Sequence, residues 1–222
     1  MKSSSAIIKE LRNSVGMNQR EFAEHVGISV RTIQDWETGR RVPPDYIPRL
    51  LRYLLAYEKL CSQRRVLIVF FSETSAETLS ENLLYDKLAL PSDKMKDVEI
   101  LFNKLSEKDY DYIICIGQKP GITDAIRIET EAHGDTTLYS SADCGTLSEL
   151  FKKSGIEAEK SIKPGNSFCN NIYWHGLNYL VENGKSSKML FLHIPFEKNI
   201  SDIEEFTQLT VEVINQFVNM GL

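Results

Sequence analysis

A cysteine and a histidine in two distant segments of the chain have the residue types and surroundings of a nucleophile and its general base. Cys169 follows a Pro-Gly break at 164–165 and precedes a stretch with helical spacing at 172–181, which predicts a helix N-terminus at the thiol. The unpaired backbone N–H groups at such an end favour the thiolate, the nucleophilic form of cysteine. His193 lies near the end of an apolar, strand-length run at 188–194, where its imidazole could meet the thiolate. The pair therefore predicts a thiol nucleophile with its general base.

The other cysteines, at positions 61, 115 and 144, offer no competing site. Together with Cys169 they form no CxxC pair and no zinc-type cluster, so the sequence implies no metal. Cys115 lies within an apolar, strand-like run and is expected to be an inert core residue. Cys61 and Cys144 have no partner histidine in a recognisable motif. Cys169 taken alone could equally be a buried helix-cap thiol, and the segment around His193 is what favours catalysis.

These two segments carry a family resemblance. Residues 165–170 read Gly-Asn-Ser-Phe-Cys-Asn and residues 191–195 read Phe-Leu-His-Ile-Pro. They resemble the nucleophile and base motifs of pyroglutamyl peptidase I, the pyrrolidone carboxyl peptidase family of cysteine exopeptidases. The run 111–118 is similar to the family's central strand and Gly-Gln turn, and the resemblance spans roughly residues 65–218. It implies an α/β/α sandwich that needs no cofactor. It also implies that the domain acts on a peptide, from which it releases an amino-terminal pyroglutamyl residue, or on a pyroglutamyl-like small molecule.

The resemblance also implies a glutamate as the third catalytic residue. Residues 126–129, Ile-Arg-Ile-Glu, resemble the segment that carries the family's catalytic glutamate. The alignment needs a one-residue shift, and it favours Glu129. Glu131 would lie on the same face of an extended segment, so spacing leaves both residues open. In the implied mechanism Cys169 attacks the acyl group, His193 holds the thiol proton and later protonates the leaving amine, and the glutamate orients the imidazole.

The substrate-holding loop departs from the family pattern. The family places two aromatic residues in a Gly-Phe-Asp-Pro-Phe-Gly-Gly loop that holds the pyroglutamate ring, whereas residues 70–76 here read Phe-Phe-Ser-Glu-Thr-Ser-Ala. A gapless alignment keeps one aromatic residue as Phe71 and replaces the other by Thr74. The resemblance thus implies substrate contacts at Phe71 and Thr74, and the departure predicts either a changed substrate or a ligand sensor.

Charge separates the amino-terminal part of the chain from the remainder. Residues 1–65 contain 12 Lys and Arg against 7 Asp and Glu, whereas residues 66–222 contain 14 against 24. This asymmetry predicts that the amino-terminal part binds a polyanion and that the remainder does not. A length of 222 residues accommodates one small and one medium domain.

The basic part has the pattern of two short helices joined by a glycine turn. Asn18 and Glu21 form a capping pattern at the start of the first, Gly27 ends it, and a second runs from Ser29 to Glu37. Residues 7–54 resemble the phage-repressor (Cro/repressor, Xre) family of helix-turn-helix domains. The hallmarks are Gln19, Phe22-Ala23, Gly27-Ile28-Ser29, Ile33, Trp36-Glu37 and Gly39-Arg40-Arg41-x-Pro43.

The resemblance implies a set of DNA contacts. Arg31 is suited to a guanine and Val30 to a thymine methyl group, because the second helix of such a motif enters the major groove. The residues expected to face base edges are Val30, Arg31, Gln34 and Asp35, and those expected to contact phosphate are Gln19 and Arg40 or Arg41. The alternative is an ordinary solvated helix surface in a domain that has lost DNA binding. Binding to duplex DNA would require a dimer on a palindromic site, so a homo-oligomer is expected.

The remainder of the chain alternates strand-like and helix-like stretches. Apolar runs at 66–71, 111–116 and 188–194 predict strands of a sheet covered on both faces. Helical stretches are predicted at 76–88, 96–104, 147–154, 170–181 and 203–218. The fold class is therefore an all-α helix-turn-helix domain at residues 1–62 followed by an α/β domain with a mostly parallel sheet at residues 65–222. No signal peptide or membrane-length apolar run is present, which predicts a cytoplasmic, bacterial protein without a membrane partner.

Two functions from different classes remain open at this stage. The first is a transcriptional regulator that carries a competent cysteine peptidase of the omega-peptidase type, acting on pyroglutamyl or related lactam or acyl groups. The second is a regulator in which the peptidase-like domain only senses a ligand or mediates dimerisation. The complete set of Cys169, His193 and Glu129 favours retained chemistry, the fused DNA-binding module favours regulation, and the two can coexist.

Overall fold

A computed structural model describes residues 4–165 and 167–221 of the chain, with the backbone alone at residues 60–63. Asn166 of the nucleophile motif, the side chain of Cys61 and the predicted domain ends at residues 1 and 222 lie outside the described parts. The chain divides into two compact units, Met1–Leu60 and Cys61–Leu222.

The first unit is helical. Its core contains one buried residue of α1, two of α2, two of α3 and two of α4, so each helix buries one face against the others. The helices are α1 (Ser4–Ser14), α2 (Gln19–His25), α3 (Val30–Glu37) and α4, which covers Ile47–Gln63. The core residues are Ile8, Phe22, Ala23, Ile33, Trp36, Leu51 and Leu55.

Local signals in the sequence fix the ends of α2 and α3, as predicted. The Asn18 side chain accepts hydrogen bonds from the N–H groups of Arg20 and Glu21 at 2.9 and 3.0 Å, and the Glu21 carboxylate accepts the N–H of Asn18 at 2.8 Å. This reciprocal capping box satisfies N–H groups that have no partner within the helix. Gly27 then adopts a φ of +66°, a left-handed conformation that is cheap for glycine and turns the chain from α2 toward α3.

The second unit contains a six-stranded sheet in the order β2-β1-β3-β8-β4-β7. Neighbouring strands pair in parallel except at one junction, where β4 runs antiparallel to β8. The strands are β1 (Val66–Phe71), β2 (Asp86–Leu90), β3 (Tyr112–Gln118), β4 (Ala125–Glu129), β7 (Glu157–Ser161) and β8 (Lys188–Ile194), and a separate hairpin pairs β5 (Glu131–His133) with β6 (Thr137–Tyr139). The predicted fold class, an α/β domain with a mostly parallel sheet after a helical domain, is confirmed.

Helices cover both faces of the sheet, which makes three layers. Alternate residues of β1 belong to two separate hydrophobic cores, one beneath α5, α7 and α9 and the other beneath α6 and α8. A strand buried on both faces explains the uninterrupted apolar run at 66–71. The helices are α5 (Ser75–Glu81), α6 (Lys94–Glu107), α7 (Cys144–Ser154), α8 (Phe168–Glu182) and α9 (Ile203–Met220).

One predicted helix is too long. The stretch 76–88 was expected to be helical throughout, but α5 ends at Glu81 and the chain then forms β2, an edge strand from Asp86 to Leu90. The burial of β2 alternates only weakly and its lysine is exposed, as suits a sheet edge. Within the parts of the chain that the structure describes, no helix is long and apolar enough to cross a membrane.

A nearly buried ion pair joins α1 to α3 in the first unit. The Arg12 guanidinium donates to both carboxylate oxygens of Glu37, at 2.7 and 3.1 Å, and to the carbonyl of Met17 at 2.9 Å. The Gln19 amide donates to the same Glu37 carboxylate at 2.8 Å. The Arg12 and Glu37 side chains are 13% and 3% exposed, so the charges are mostly removed from water and depend on each other.

Replacing Arg12 with alanine is therefore expected to destabilise the first unit by about 3 kcal/mol, because the Glu37 carboxylate would stay buried without its charge partner. Urea unfolding followed by the fluorescence of Trp36, in a Trp174→Phe background, measures this free energy.

The matched control is Arg20→Ala. Arg20 pairs with Glu24 on the surface of α2, with side chains 80% and 66% exposed, so its loss should change the free energy of unfolding by no more than about 0.5 kcal/mol. Equal effects of the two substitutions would contradict the structural role assigned to Arg12.

Candidate active site

The nucleophile predicted from the sequence lies against the sheet at the start of a helix. Cys169 is the second residue of α8 and is 8% exposed. A Cβ atom built on Gly117 of β3 would come within 2.8 Å of the Cys169 sulfur and 3.0 Å of the Phe191 ring. The sulfur can lie this close to the sheet because position 117 has no side chain.

His193 is brought to the same place by strand pairing. It lies on β8 directly opposite Gly117 in the parallel register of β3 and β8, and it is 2% exposed. Directly paired residues share a face of the sheet, so His193 lies on the face that α8 covers. The two segments that the sequence singled out thus converge beside Gly117.

Glu129 completes the arrangement, and the structure distinguishes it from Glu131. The His193 Nδ1 atom lies 2.8 Å from Glu129 Oε1, and Glu129 is fully buried at the end of β4. The Tyr173 hydroxyl donates to the Glu129 carbonyl at 3.1 Å and holds the backbone there. Glu131 belongs to the separate hairpin and pairs with His133 Nε2 at 2.8 Å. The two glutamates therefore lie on different strands and contact different histidines.

The buried pair of Glu129 and His193 consists of a carboxylate and a neutral imidazole. Burial alone would raise the pKa of Glu129, but the hydrogen bond with His193, the nearby Ser161 hydroxyl and the charge of Lys119 outweigh it and hold that pKa below its ordinary value. Burial lowers the pKa of His193 more than Glu129 raises it. An ionised Glu129 can only accept a hydrogen bond, so the Nδ1–H of His193 donates to it and Nε2 is left as the basic nitrogen.

Burial of Cys169 acts against the thiolate that its helix position favours. Burial raises the pKa of Cys169 to about 11, against smaller opposing contributions from Ser167, a backbone N–H group and Lys119. Desolvation penalises the charged sulfur more than the helix N-terminus favours it. The remaining described cysteines, Cys115 and Cys144, are buried core residues whose thiol pKa values burial also raises.

Sequence reasoning missed Lys119. Its ammonium lies 3.2 Å from Glu129 Oε1 and donates to the Lys163 carbonyl at 2.6 Å. The signal available in the sequence was a charged residue immediately after the apolar strand and its Gly-Gln turn. A lysine at the end of a strand is ordinarily a solvated surface residue, so this signal alone does not identify it.

The two positions expected to contact the substrate lie in different surroundings: Phe71 is near Phe168, and Thr74 lines a neighbouring cavity. Phe71 is the last residue of β1, and its ring lies 6.4 Å from that of Phe168, which precedes the nucleophile and is 38% exposed. Thr74 donates its hydroxyl to the Phe71 carbonyl at 2.7 Å, so its polar atom is occupied locally. Thr74 and Gln118 line a neighbouring cavity of about 450 Å³. Phe168 was not predicted, although it is an exposed aromatic residue adjacent to Cys169 in the sequence.

The residues expected to contact DNA also fall into two groups. Arg31 and Gln34 are exposed on α3, Arg40 and Arg41 are exposed after it, and Val30 is half-buried against the core. Asp35 does not project outward as expected: it is buried, with carboxylate oxygens 4.0 and 3.6 Å from Arg40 and Arg41. The half-buried Gln19 donates to Glu37. Asp35 and Gln19 therefore make contacts within the helical unit rather than projecting from its surface.

Comparison with known proteins supports the resemblance of each part. Residues 8–54 match the family model described as Helix-turn-helix (HTH_3). A pyrrolidone-carboxylate peptidase of Fusobacterium nucleatum subsp. nucleatum is 30% identical over 132 residues, which cover 49% of this chain and 61% of that protein. A pyrrolidone-carboxylate peptidase of Staphylococcus haemolyticus is 24% identical over 161 residues, covering 62% of this chain and 75% of that protein. The chain thus spans less than two thirds of the first of these relatives.

Solved structures show the same fold. The pyrrolidone carboxyl peptidase of Fervidobacterium islandicum AW-1 has a TM-score of 0.61 at 20% identity, covering 68% of this chain and 96% of that one. Pyroglutamyl peptidase I of Bacillus amyloliquefaciens has a TM-score of 0.63 at 17% identity, covering 71% of this chain and 97% of that one. The chain therefore combines a segment that matches the helix-turn-helix family model with an α/β part similar in sequence and fold to pyrrolidone-carboxylate peptidases.

Proposed function

We propose that this chain is a DNA-binding transcriptional regulator whose α/β domain, residues 65–222, removes pyroglutamyl or related lactam or acyl groups from an amino terminus. Cys169 would be the nucleophile, His193 the base and Glu129 the residue that orients the base. The observation that carries the proposal is the 2.8 Å contact between the buried Glu129 carboxylate and His193, beside the glycine over which the Cys169 sulfur lies. Sequence similarity to the named peptidases supports it further.

The geometry favours general-base attack from a neutral resting state. As the Cys169 sulfur bonds to the acyl carbon, its proton passes to Nε2 of His193, and the imidazolium formed is stabilised by the ionised Glu129. Collapse of the tetrahedral intermediate breaks the carbon–nitrogen bond, and His193 returns the proton to the leaving amine. Water, deprotonated by the same imidazole, then hydrolyses the thioester and releases the acid and the thiol.

A second candidate function is a non-catalytic regulator in which the α/β domain senses a lactam ligand or mediates dimerisation. Thr74 supports this candidate, since its hydroxyl takes the place of a ring-holding aromatic residue. The high pKa of Cys169 supports it as well, because a thiol that stays protonated at neutral pH can serve as a core residue.

The amino-terminal domain, residues 1–62, is proposed to bind duplex DNA as a homodimer in the cytoplasm. Arg31 and Gln34 support this role, because both are exposed on α3 and can reach base edges with hydrogen-bond donors. The excess of basic over acidic residues in this part supplies the attraction to phosphate.

The catalytic proposal predicts hydrolysis of a fluorogenic pyroglutamyl amide. Cys169→Ala should lower kcat/KM by more than about a thousandfold, because no other group supplies the attacking sulfur. Cys144→Ala is the matched control, since it removes a buried thiol from the opposite face of the sheet, and it should retain activity within a few fold. An inactive wild-type protein whose melting temperature rises with pyroglutamate would favour the sensor instead.

The resting thiol predicts how alkylation depends on pH. A pKa near 11 means that the thiolate fraction of Cys169 grows about tenfold per pH unit up to pH 10. Its rate of reaction with iodoacetamide, followed by peptide mapping, should rise accordingly without a plateau below pH 9. His193→Ala should slow the reaction at pH 8 by removing the base. A plateau reached below pH 7 would instead reveal a preformed thiolate–imidazolium pair.

The DNA-binding proposal predicts different effects for two exposed arginines. Arg31→Ala should cost about 1–3 kcal/mol on the preferred site and much less on random duplex, because a base contact is lost. Arg40→Ala should weaken binding to all sequences similarly, because a phosphate contact carries little sequence information. The measurement is a titration of each variant with the specific and the random duplex at one salt concentration. Equal losses of affinity for both duplexes in Arg31→Ala would contradict a base contact by Arg31.

A further inference from the structure

The carboxylate of Glu129 is in an unfavourable position unless a positive charge compensates it. Glu129 is fully buried, and its Oε1 atom accepts hydrogen bonds from both His193 and Lys119. Its Oε2 atom has no hydrogen-bond partner among the described residues. A carboxylate taken out of water costs several kcal/mol unless it is paired. His193 is neutral at rest and offers a dipole, whereas Lys119 offers a full charge.

Lys119 can supply this charge without a comparable penalty. Its side chain is 29% exposed, so the ammonium keeps part of its hydration while it reaches the buried oxygen at 3.2 Å. Arg127 of β4 lies opposite His193 in the strand register, but its guanidinium pairs with Glu159 of β7 at 2.9 Å. The other groups around Glu129 and His193 are the hydroxyls of Ser161 and Tyr173 and the thiol of Cys169, which are uncharged at neutral pH. Among the described side chains, Lys119 is therefore the cation in direct contact with the Glu129 carboxylate.

The same residue ties together the segments that carry the site. Its ammonium donates to the Lys163 carbonyl at 2.6 Å, in the segment that leads into α8 and Cys169. Its backbone N–H donates to the Ile194 carbonyl at 3.0 Å, one residue after His193. With the contact to Glu129, one lysine thus links β4, β8 and the approach to the nucleophile.

We propose that Lys119 is a positioning residue of the Cys169 site. It keeps Glu129 ionised and His193 neutral, and it holds both residues beside the segment that leads to the thiol. The chemical purpose assigned to it rests on the proposed acyl transfer, but the electrostatic role does not require turnover. A cation at this point repels an imidazolium at His193, so the base stays free to take the thiol proton, and it stabilises the carboxylate that orients the ring.

The test is an NMR titration of the imidazole of His193 in the full-length protein. The chain has four histidines, and the His193 signals are assigned by their loss in His193→Gln. Lys119→Met removes the charge, Lys119→Gln removes the charge but keeps a donor for the Lys163 carbonyl, and Lys119→Arg keeps the charge. Lys163→Ala is the matched control, because Lys163 is exposed and contributes only its backbone carbonyl.

The expected result is a His193 titration midpoint that rises by about one pH unit in both Lys119→Met and Lys119→Gln. It should stay near the wild-type value in Lys119→Arg and Lys163→Ala. A midpoint unchanged in the two uncharged variants, or shifted equally in Lys119→Arg, would overturn the proposal. Wild-type protein that shows the expected midpoints but hydrolyses no pyroglutamyl amide would contradict the enzymatic function and leave the role of Lys119 standing.

Discussion

The burial of one carboxylate constrains the rest of the α/β unit. Glu129 lies opposite Phe191 in the antiparallel pairing of β4 with β8, which places it on the same face as His193 and one diagonal step away. A slip of one residue would turn Thr130 toward the imidazole and Glu129 toward the other core. The single antiparallel junction of the sheet is therefore what fixes the partner of the histidine.

The parallel half of the sheet supplies the other requirement, which is space for the sulfur. Gly117 lies opposite His193, and α8 packs over this face with Cys169 and Tyr173 turned inward. A side chain at position 117 would occupy the volume of the sulfur or displace the ring of Phe191. The packing that brings the sulfur close to Gly117 also removes the thiol from water, and this burial raises its pKa. The packing of α8 against Gly117 thus both places the sulfur close to the sheet and disfavours its ionisation.

The sequence indicated Cys169 and His193 as candidate catalytic residues because each lies in a short motif whose neighbours are specific in combination. It could not separate Glu129 from Glu131, since residues two apart in an extended segment share a face, and only the end of β4 at Glu129 breaks that equivalence. It also could not predict the protonation of Cys169, because the degree of burial is a tertiary property. Lys119 was missed for a related reason, since its partners come from three segments distant in sequence.

The same reasoning applies to the secondary structure and to the helical unit. The predicted helix at 76–88 was too long because an edge strand such as β2 lacks the apolar run that marks central strands. Asp35 was expected on the outer face of α3, yet it is buried beside two arginines that follow the helix. Helical spacing assigns a residue to a face, but contacts with the chain beyond the helix decide whether that face is covered.

Around the proposed acyl site, a departure from the family pattern at Thr74 is accompanied by an aromatic residue from another element. Thr74 stands where an aromatic residue was expected, but Phe168 brings an aromatic ring to within 6.4 Å of Phe71 from the start of α8. Under the proposed function, the exposed ring of Phe168 offers an apolar surface to a small flat group such as a lactam. Because Phe168 adjoins Cys169, a group that packs against the exposed ring of Phe168 also lies close to the sulfur. Substrate recognition and attack would then depend on the same turn of helix, rather than on a separate loop.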